Sequence, residues 1–155
     1  MSGGRNPIPG FLAFAILALA ACAPKLPAGV DEARLEDAIS GAIGDPNTCV
    51  LIAPSGSSRV AYRYNTHTAC ARTLPACAGE ARQTAGDLLK AVARDGQPRA
   101  VSCPSAPDGS REVAWAAGPV AGRGLIYAAV MEGERAFPSR MVVDRLTRAF
   151  KDAGL

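Results

Sequence analysis

Hydrophobic and polar positions follow two periods that alternate along the chain. Over residues 31–44 apolar side chains recur at helical spacing: Leu35, Ala38, Ile39, Ala42 and Ile43 form one stripe, with Asp31 at the N-cap position and Gly44 at the stop. Residues 49–53 are instead a short continuous apolar run between Asp45-Pro46-Asn47 and a Pro-Ser-Gly-Ser-Ser segment, which predicts a strand buried on both faces. Residues 59–64 alternate. Val60, Tyr62 and Tyr64 take one face and Arg59 and Arg63 the other, predicting a half-exposed strand joined to the first by a hairpin. A long polar loop over 65–78 leads to a second helix over 79–95, with Ala81, Ala85, Leu88, Leu89 and Val92 inward and Gly96 closing it. Three more strands are expected over 99–103, 111–117 and 124–131. The middle one alternates through Val113, Trp115 and Ala117, whereas the last is again continuously apolar. From Pro138 or Ser139 a final helix places Val142, Leu146, Ala149, Phe150 and Ala153 on one face.

The predicted order is α-β-β-α-β-β-β-α, an α+β domain. The first and fifth strands read as doubly buried, so they must be neighbours at the centre of a sheet covered on both faces. A five-stranded antiparallel sheet in the order 2-1-5-4-3, flanked by helices, meets that requirement and keeps both hairpins intact. This winding resembles the profilin-like and roadblock folds, more loosely the sensory GAF domain, and also the α/β half of serine β-lactamases and penicillin-binding proteins. The likeness is one of topology, so it bears on fold and hardly on function.

Ahead of this domain, residues 11–21 are uninterruptedly apolar and follow a short start containing Arg5. As a helix they would cover roughly 16 Å, about half of a ~30 Å hydrocarbon core, which suits a signal-peptide core and not a membrane span. The run ends in Leu19-Ala20-Ala21-Cys22. These residues resemble the lipobox of bacterial lipoproteins. The resemblance implies that signal peptidase II cuts between Ala21 and Cys22, that Cys22 carries a diacylglyceryl thioether, and that the new amino terminus is acylated. In that family an aspartate directly after the cysteine retains the protein in the inner membrane. Here the position is Ala23, which points to the outer membrane, with the domain on its periplasmic face. Two or more acyl chains anchor stably where one does not. The expected organisation is a signal peptide over 1–21, a lipidated tether over 22–30 and one periplasmic domain over 31–155. Two prolines and a glycine within 23–30 discourage helix and strand, and the segment spans at most about 25 Å.

Composition narrows this little. A chain of 155 residues, 48% hydrophobic and 20% charged, is neither disordered, nor a coiled coil, nor a multi-span membrane protein. Its net charge of +3 is spread without a basic block, so no nucleic-acid partner is expected. The five cysteines matter more. With Cys22 on lipid, Cys49, Cys70, Cys77 and Cys103 form an even set in an oxidising compartment. The third strand runs back along the second helix and brings Cys103 toward Cys77, which favours Cys77 with Cys103 and Cys49 with Cys70. The rival is Cys70 with Cys77 and Cys49 with Cys103. His67 could join Cys70 and Cys77 in a metal site, but no Cys-x-x-Cys pair accompanies them, so neither metal nor cofactor is expected.

Catalytic motifs are missing as well. No Ser-x-x-Lys, Lys-Thr-Gly or Gly-x-Ser-x-Gly occurs, and the chain has a single histidine, so an enzyme is not expected. The glycines between 118 and 124 resemble a phosphate-binding loop but join two strands, and they read as a hairpin turn. Arg140, Arg145, Arg148 and Lys151 give the last helix a basic edge, interrupted by Asp144 and Asp152, that could meet anionic lipid, lipopolysaccharide or peptidoglycan. The loop over 65–78, carrying His67 and Arg72, is the candidate binding surface. The expected function is a non-catalytic, outer-membrane-anchored lipoprotein that binds an envelope protein or another envelope component. A small-ligand sensory domain of GAF-like type is the alternative, and an envelope hydrolase a remote one. A homodimer is left open.

Overall fold

The computed structural model describes residues 23–155 together with Met1; the expected signal peptide, the expected cleavage between Ala21 and Cys22, and the expected lipidation of Cys22 lie outside the described residues. Among the described residues the order of elements is α1 (Glu32–Ile43), β1 (Cys49–Pro54), β2 (Tyr62–Tyr64), α2 (His67–Cys70), β3 (Leu74–Pro75), β4 (Arg82–Gln83), α3 (Ala85–Asp95), β5 (Arg99–Pro104), β6 (Glu112–Val120), β7 (Leu125–Gly133) and α4 (Ser139–Asp152). The chain is α+β, with a five-stranded antiparallel sheet ordered β2-β1-β7-β6-β5 and a separate ribbon of β3 with β4. The labels differ from the expected 2-1-5-4-3 because β3 and β4 intervene in the chain. Counted over the main sheet alone, the same segments are neighbours.

Helix ends follow local chemistry. Asp31 Oδ1 accepts from the backbone N–H groups of Ala33 and Arg34 and starts α1. Gly44 ends it with φ −61°, so no left-handed turn is needed there. Glycine is required instead because a Cβ would run into the Ser40 carbonyl. Gly96 does close α3 in the left-handed region, at φ 67°.

Three expectations are corrected. The second helix starts at Ala85, not 79, because Thr84 and Asp87 form a capping box; Ala81 is exposed and precedes the ribbon strand Arg82–Gln83's end. The second strand starts at Tyr62, not 59. Ala61 N–H donates to the Ile52 carbonyl although Tyr62 is the register partner of Ile52, so two residues oppose one. This bulge turns Val60 to the opposite face from Tyr62 and Tyr64, with which it was expected to align. Finally, the alternation expected over 111–117 leaves neither face of β6 in water: Val113 to Gly118 are all buried, because helices cover both of its faces.

The core is therefore double. On one face α1 and α4 bury Leu35, Ile39, Ile43, Val142, Leu146 and Phe150 against Val50, Ile52, Ala114, Ala116 and Ala129. The small sheet side chains let both helices approach closely, and Tyr127 meets Phe150 edge to face at 5.2 Å. On the other face α3 packs Leu88, Leu89 and Val92 on Leu51, Val113, Trp115, Ala128 and Val130. Residues of the expected tether belong to the fold too. Leu26 and Val30 pack against the first core, and Val30 N–H closes a turn onto the Pro27 carbonyl.

Candidate functional site

The expected polar loop is the least regular part of the domain, and it is ordered by pins of several kinds. Its entry is set by Asn65, in the left-handed region at φ 74°, whose Nδ2 donates to the Pro46 and Thr48 carbonyls. Thr66 then caps the single turn of α2. Cys70 at its end is bonded to Cys49 on β1, and Cys77 is bonded to Cys103 on β5, so the rival pairing is not adopted. The two bridges sit differently. Cys49 and Cys70 are buried, whereas Cys77 and Cys103 are half-buried, and Cys77 holds a left-handed backbone at φ 61° that is costly for a residue with a Cβ.

Between the bridges, side chains complete the attachment. Trp115, fully buried on β6, donates from Nε1 to the Pro75 carbonyl at 2.7 Å. Arg82 Nη2 donates to the Thr73 carbonyl at 2.6 Å. Arg72 reaches the far end of β7, where its Nη2 lies 2.8 Å from Glu132 Oε2.

Glu132 is the centre of the charged cluster. It is 3% exposed on a strand otherwise buried through apolar side chains. Arg111 grips both of its oxygens, Nε to Oε1 at 2.9 Å and Nη2 to Oε2 at 3.0 Å, and Ser105 Oγ donates to Oε1 at 2.8 Å. These partners hold its pKa down to about 2: the Arg111 hydrogen bonds dominate, with Arg72 and Ser105 adding to them against the cost of burial. One carboxylate thus joins the 65–84 segment, the β5–β6 loop and β7. Nothing in the spacing of the sequence marks Glu132, which directly follows the apolar run 125–131 and reads there as the first polar residue after a strand.

His67 and Arg72, the two residues picked from the sequence, therefore part company. Arg72 is committed inward to Glu132. His67 is exposed, and with Arg63, Val60, Ala71 and Thr84 it lines a shallow cleft of about 260 Å³. The basic edge of α4 is also divided. Arg145 donates from Nη1 to the Ala42 carbonyl at 3.0 Å and stacks over Phe137, tying α4 to α1, whereas Arg140, Arg148 and Lys151 are exposed. Of the 118–124 glycines, Gly118 lies on β6, and Gly122 and Gly124 form the turn to β7 with positive φ. Among the described residues no group of His, Cys, Asp and Glu is placed to hold a metal ion, and no helix is long and apolar enough to cross a membrane.

The two ends of the sheet have different surroundings. The end of α1, residues 40–45, lies beside Arg135 and Phe137, which lead into α4, and Arg145 of α4 donates to the Ala42 carbonyl, so α1 and α4 run antiparallel. The start of α1 and residues 23–30 before it thus lie near the end of α4, where Arg123 of the β6–β7 turn donates to the Gly154 carbonyl. Glu132, Arg111, Asn65 and α2 gather toward the opposite end. No protein-family model, curated protein or solved structure matches the chain. The fold and its pinned segment define a small α+β domain with helices over one face of a sheet and a disulfide-stapled excursion beside the helix on the other.

Proposed function

We propose that this chain is an outer-membrane lipoprotein, anchored through Cys22, whose non-catalytic domain binds another envelope component with the end of the sheet that carries His67. The observation that carries the reading is the apolar run ending in Leu19-Ala20-Ala21-Cys22. Two disulfides in a domain this small accord with an oxidising compartment. The packing of Leu26 and Val30 also supports it: only residues 23–25 would separate lipid from folded chain, about 10 Å of extended backbone. The tether end of the domain would rest at the bilayer, and His67, Arg63 and the β5–β6 loop would face away, open to a partner. We read the winding of the sheet as profilin- or roadblock-like, a scaffold that hosts many binding roles.

The test is a Cys22→Ala variant with fractionation and metabolic fatty-acid labelling. Loss of label and release from the membrane are expected; unchanged labelling and fractionation would overturn the anchor. Crosslinking in intact cells, with capture lost in a His67→Glu/Arg63→Glu variant, tests the surface.

A second reading, a small-ligand sensory domain, is favoured by one feature. Pro119, Val120, Tyr127, Thr147, Phe150 and Leu155 line a largely apolar cleft of about 460 Å³ at the end of α4. A thermal-shift screen of apolar small molecules decides for it if a hit is lost on blocking the cleft with Thr147→Trp.

A further inference from the structure

The two edges of the sheet are unequal. β2 is three residues long and leads directly into α2, whereas β5 is six residues long and has a neighbour on one side only. The phase of the ladder tells which groups of β5 are free. Ser105 N–H donates to the Arg111 carbonyl, one register step beyond the pair Pro104 with Glu112. Hydrogen-bonded pairs alternate along an antiparallel ladder, so Cys103, Val101 and Arg99 also bond inward to β6. Ala100 and Ser102 consequently direct their N–H and C=O groups away from the sheet. Pro98 and Pro104, next in the same phase, have no N–H to offer. The free edge is thus a two-residue template bracketed by prolines.

We propose that this edge pairs with the same edge of a second copy of the chain, antiparallel, about a twofold axis through Val101. The register is self-complementary: Ala100 of each copy faces Ser102 of the other, which satisfies all four free N–H groups and adds nothing beyond the prolines. The axis also accounts for an exposed apolar side chain. Val101 is 37% exposed, and besides it only Met1 and Met141 are exposed large hydrophobics among the described residues. In this register Val101 meets its own copy as a non-hydrogen-bonded pair, the closer of the two pair types. The Arg99 side chains, flanking the axis, are already held by Asp95 at 2.5 Å and place no uncompensated charge in the joint. The result is one ten-stranded sheet across two copies.

A single short strand pair buries less than the ~1,200 Å² of a stable interface, so the dimer is weak in solution and is strengthened by confinement to a surface. That strengthening alone rests on the lipid-anchor reading; the register does not.

Cysteine crosslinking of the full chain in detergent micelles tests the pairing. In the proposed register Val101→Cys places two thiols on facing residues at about 4.5 Å between Cα atoms, within disulfide range. Ala100→Cys places them a diagonal step apart, beyond that range. Mild oxidation should yield at least about tenfold more covalent dimer from Val101→Cys than from Ala100→Cys or the parent chain. Val101→Lys, which puts like charges on the axis at a solvent-exposed position, should keep the circular dichroism of the parent and abolish its dimer in native mass spectrometry. Equal crosslinking at both positions, none at either, or an adduct with a different protein would overturn the proposal. Adding Cys22→Ala to the Val101→Cys chain separates the two readings: the crosslink should survive at raised concentration even where the anchor is lost.

Discussion

The two faces of the sheet are covered by different means. On the α1/α4 face two helices of three to four turns lay continuous apolar stripes on small sheet residues, and among the described residues no covalent link is present in that core. On the α3 face one helix covers only part of the sheet, and the rest is covered by residues 65–84, whose elements are two to four residues long. Pieces so short cannot stabilise themselves. They are held instead by two disulfides, the Glu132 cluster and the Trp115 hydrogen bond. Where a helical stripe is lacking, cross-links and buried polar contacts take over the work of apolar packing.

Removing the cross-links breaks that contrast most severely. Each bridge closes a loop of 21 or 26 residues and should contribute about 3 kcal/mol. Removing both bridges with the four substitutions Cys49→Ala, Cys70→Ala, Cys77→Ala and Cys103→Ala should therefore consume most of a typical folding stability. In hydrogen exchange at low temperature, residues 65–84 should lose protection before α1 and α4; simultaneous loss across both faces would show that the faces are not separable. Under graded reduction the half-buried Cys77–Cys103 bridge should open before the buried Cys49–Cys70 bridge, read by thiol labelling and mass mapping.

On the other face a cavity should act globally. Leu146→Ala, at a fully buried position, should cost about 3 kcal/mol in urea unfolding and lower protection of both faces together. Glu132→Gln should cost less, about 2 kcal/mol, since Arg72 and Arg111 keep a third of their side-chain surface in water. Its effect should concentrate in residues 71–76 and 105–111.

The same carboxylate predicts an acid limb. Its folded-state pKa of about 2 lies below its ordinary value of 4.5. The stabilisation it brings is present above about pH 5 and is lost as the pH falls through 2. Tyr62 and Tyr127 set an alkaline limb with the opposite sign. Burial raises both to about 12, so their contribution is complete below their ordinary value of 10 and is lost as the pH rises through 12. Chemical denaturation across pH should show a plateau between these limits, with the acid limb flattened in Glu132→Gln. Trp115→Phe removes one hydrogen bond and part of a fully buried ring, so it should cost about 2 kcal/mol, with the loss of protection centred on residues near Pro75.

Much of the architecture was legible because it is written in neighbouring residues. The stripe and N-cap of α1, the αL closure of α3 at Gly96 and the doubly apolar runs of β1 and β7 all depend on side chains within a few positions of one another. From the two apolar runs the centre of the sheet followed. The start of α3 was also legible in Thr84 and Asp87, and helical spacing through Ala81 masked it. The candidate site was legible only in outline. Its cysteines and His67 stand out by type, but Arg72 reads in the sequence as a surface group because its partner lies sixty residues away in the chain.

By itself the sequence determined the apolar run with its terminal cysteine, the helical and strand periods and the supply of four further cysteines, since each is a local pattern. Only the tertiary structure decided that Glu132 would be buried between two arginines, that β6 would be covered on both faces and that Leu26 and Val30 would join the core. It also decided the cap of α4, whose first N–H at Ser139 is satisfied by Ser102 Oγ on β5, 37 residues away. The physical reason is common to all four. A buried polar group or an uncovered face is satisfied by whatever the fold brings near, and that partner leaves no mark at any fixed spacing along the chain.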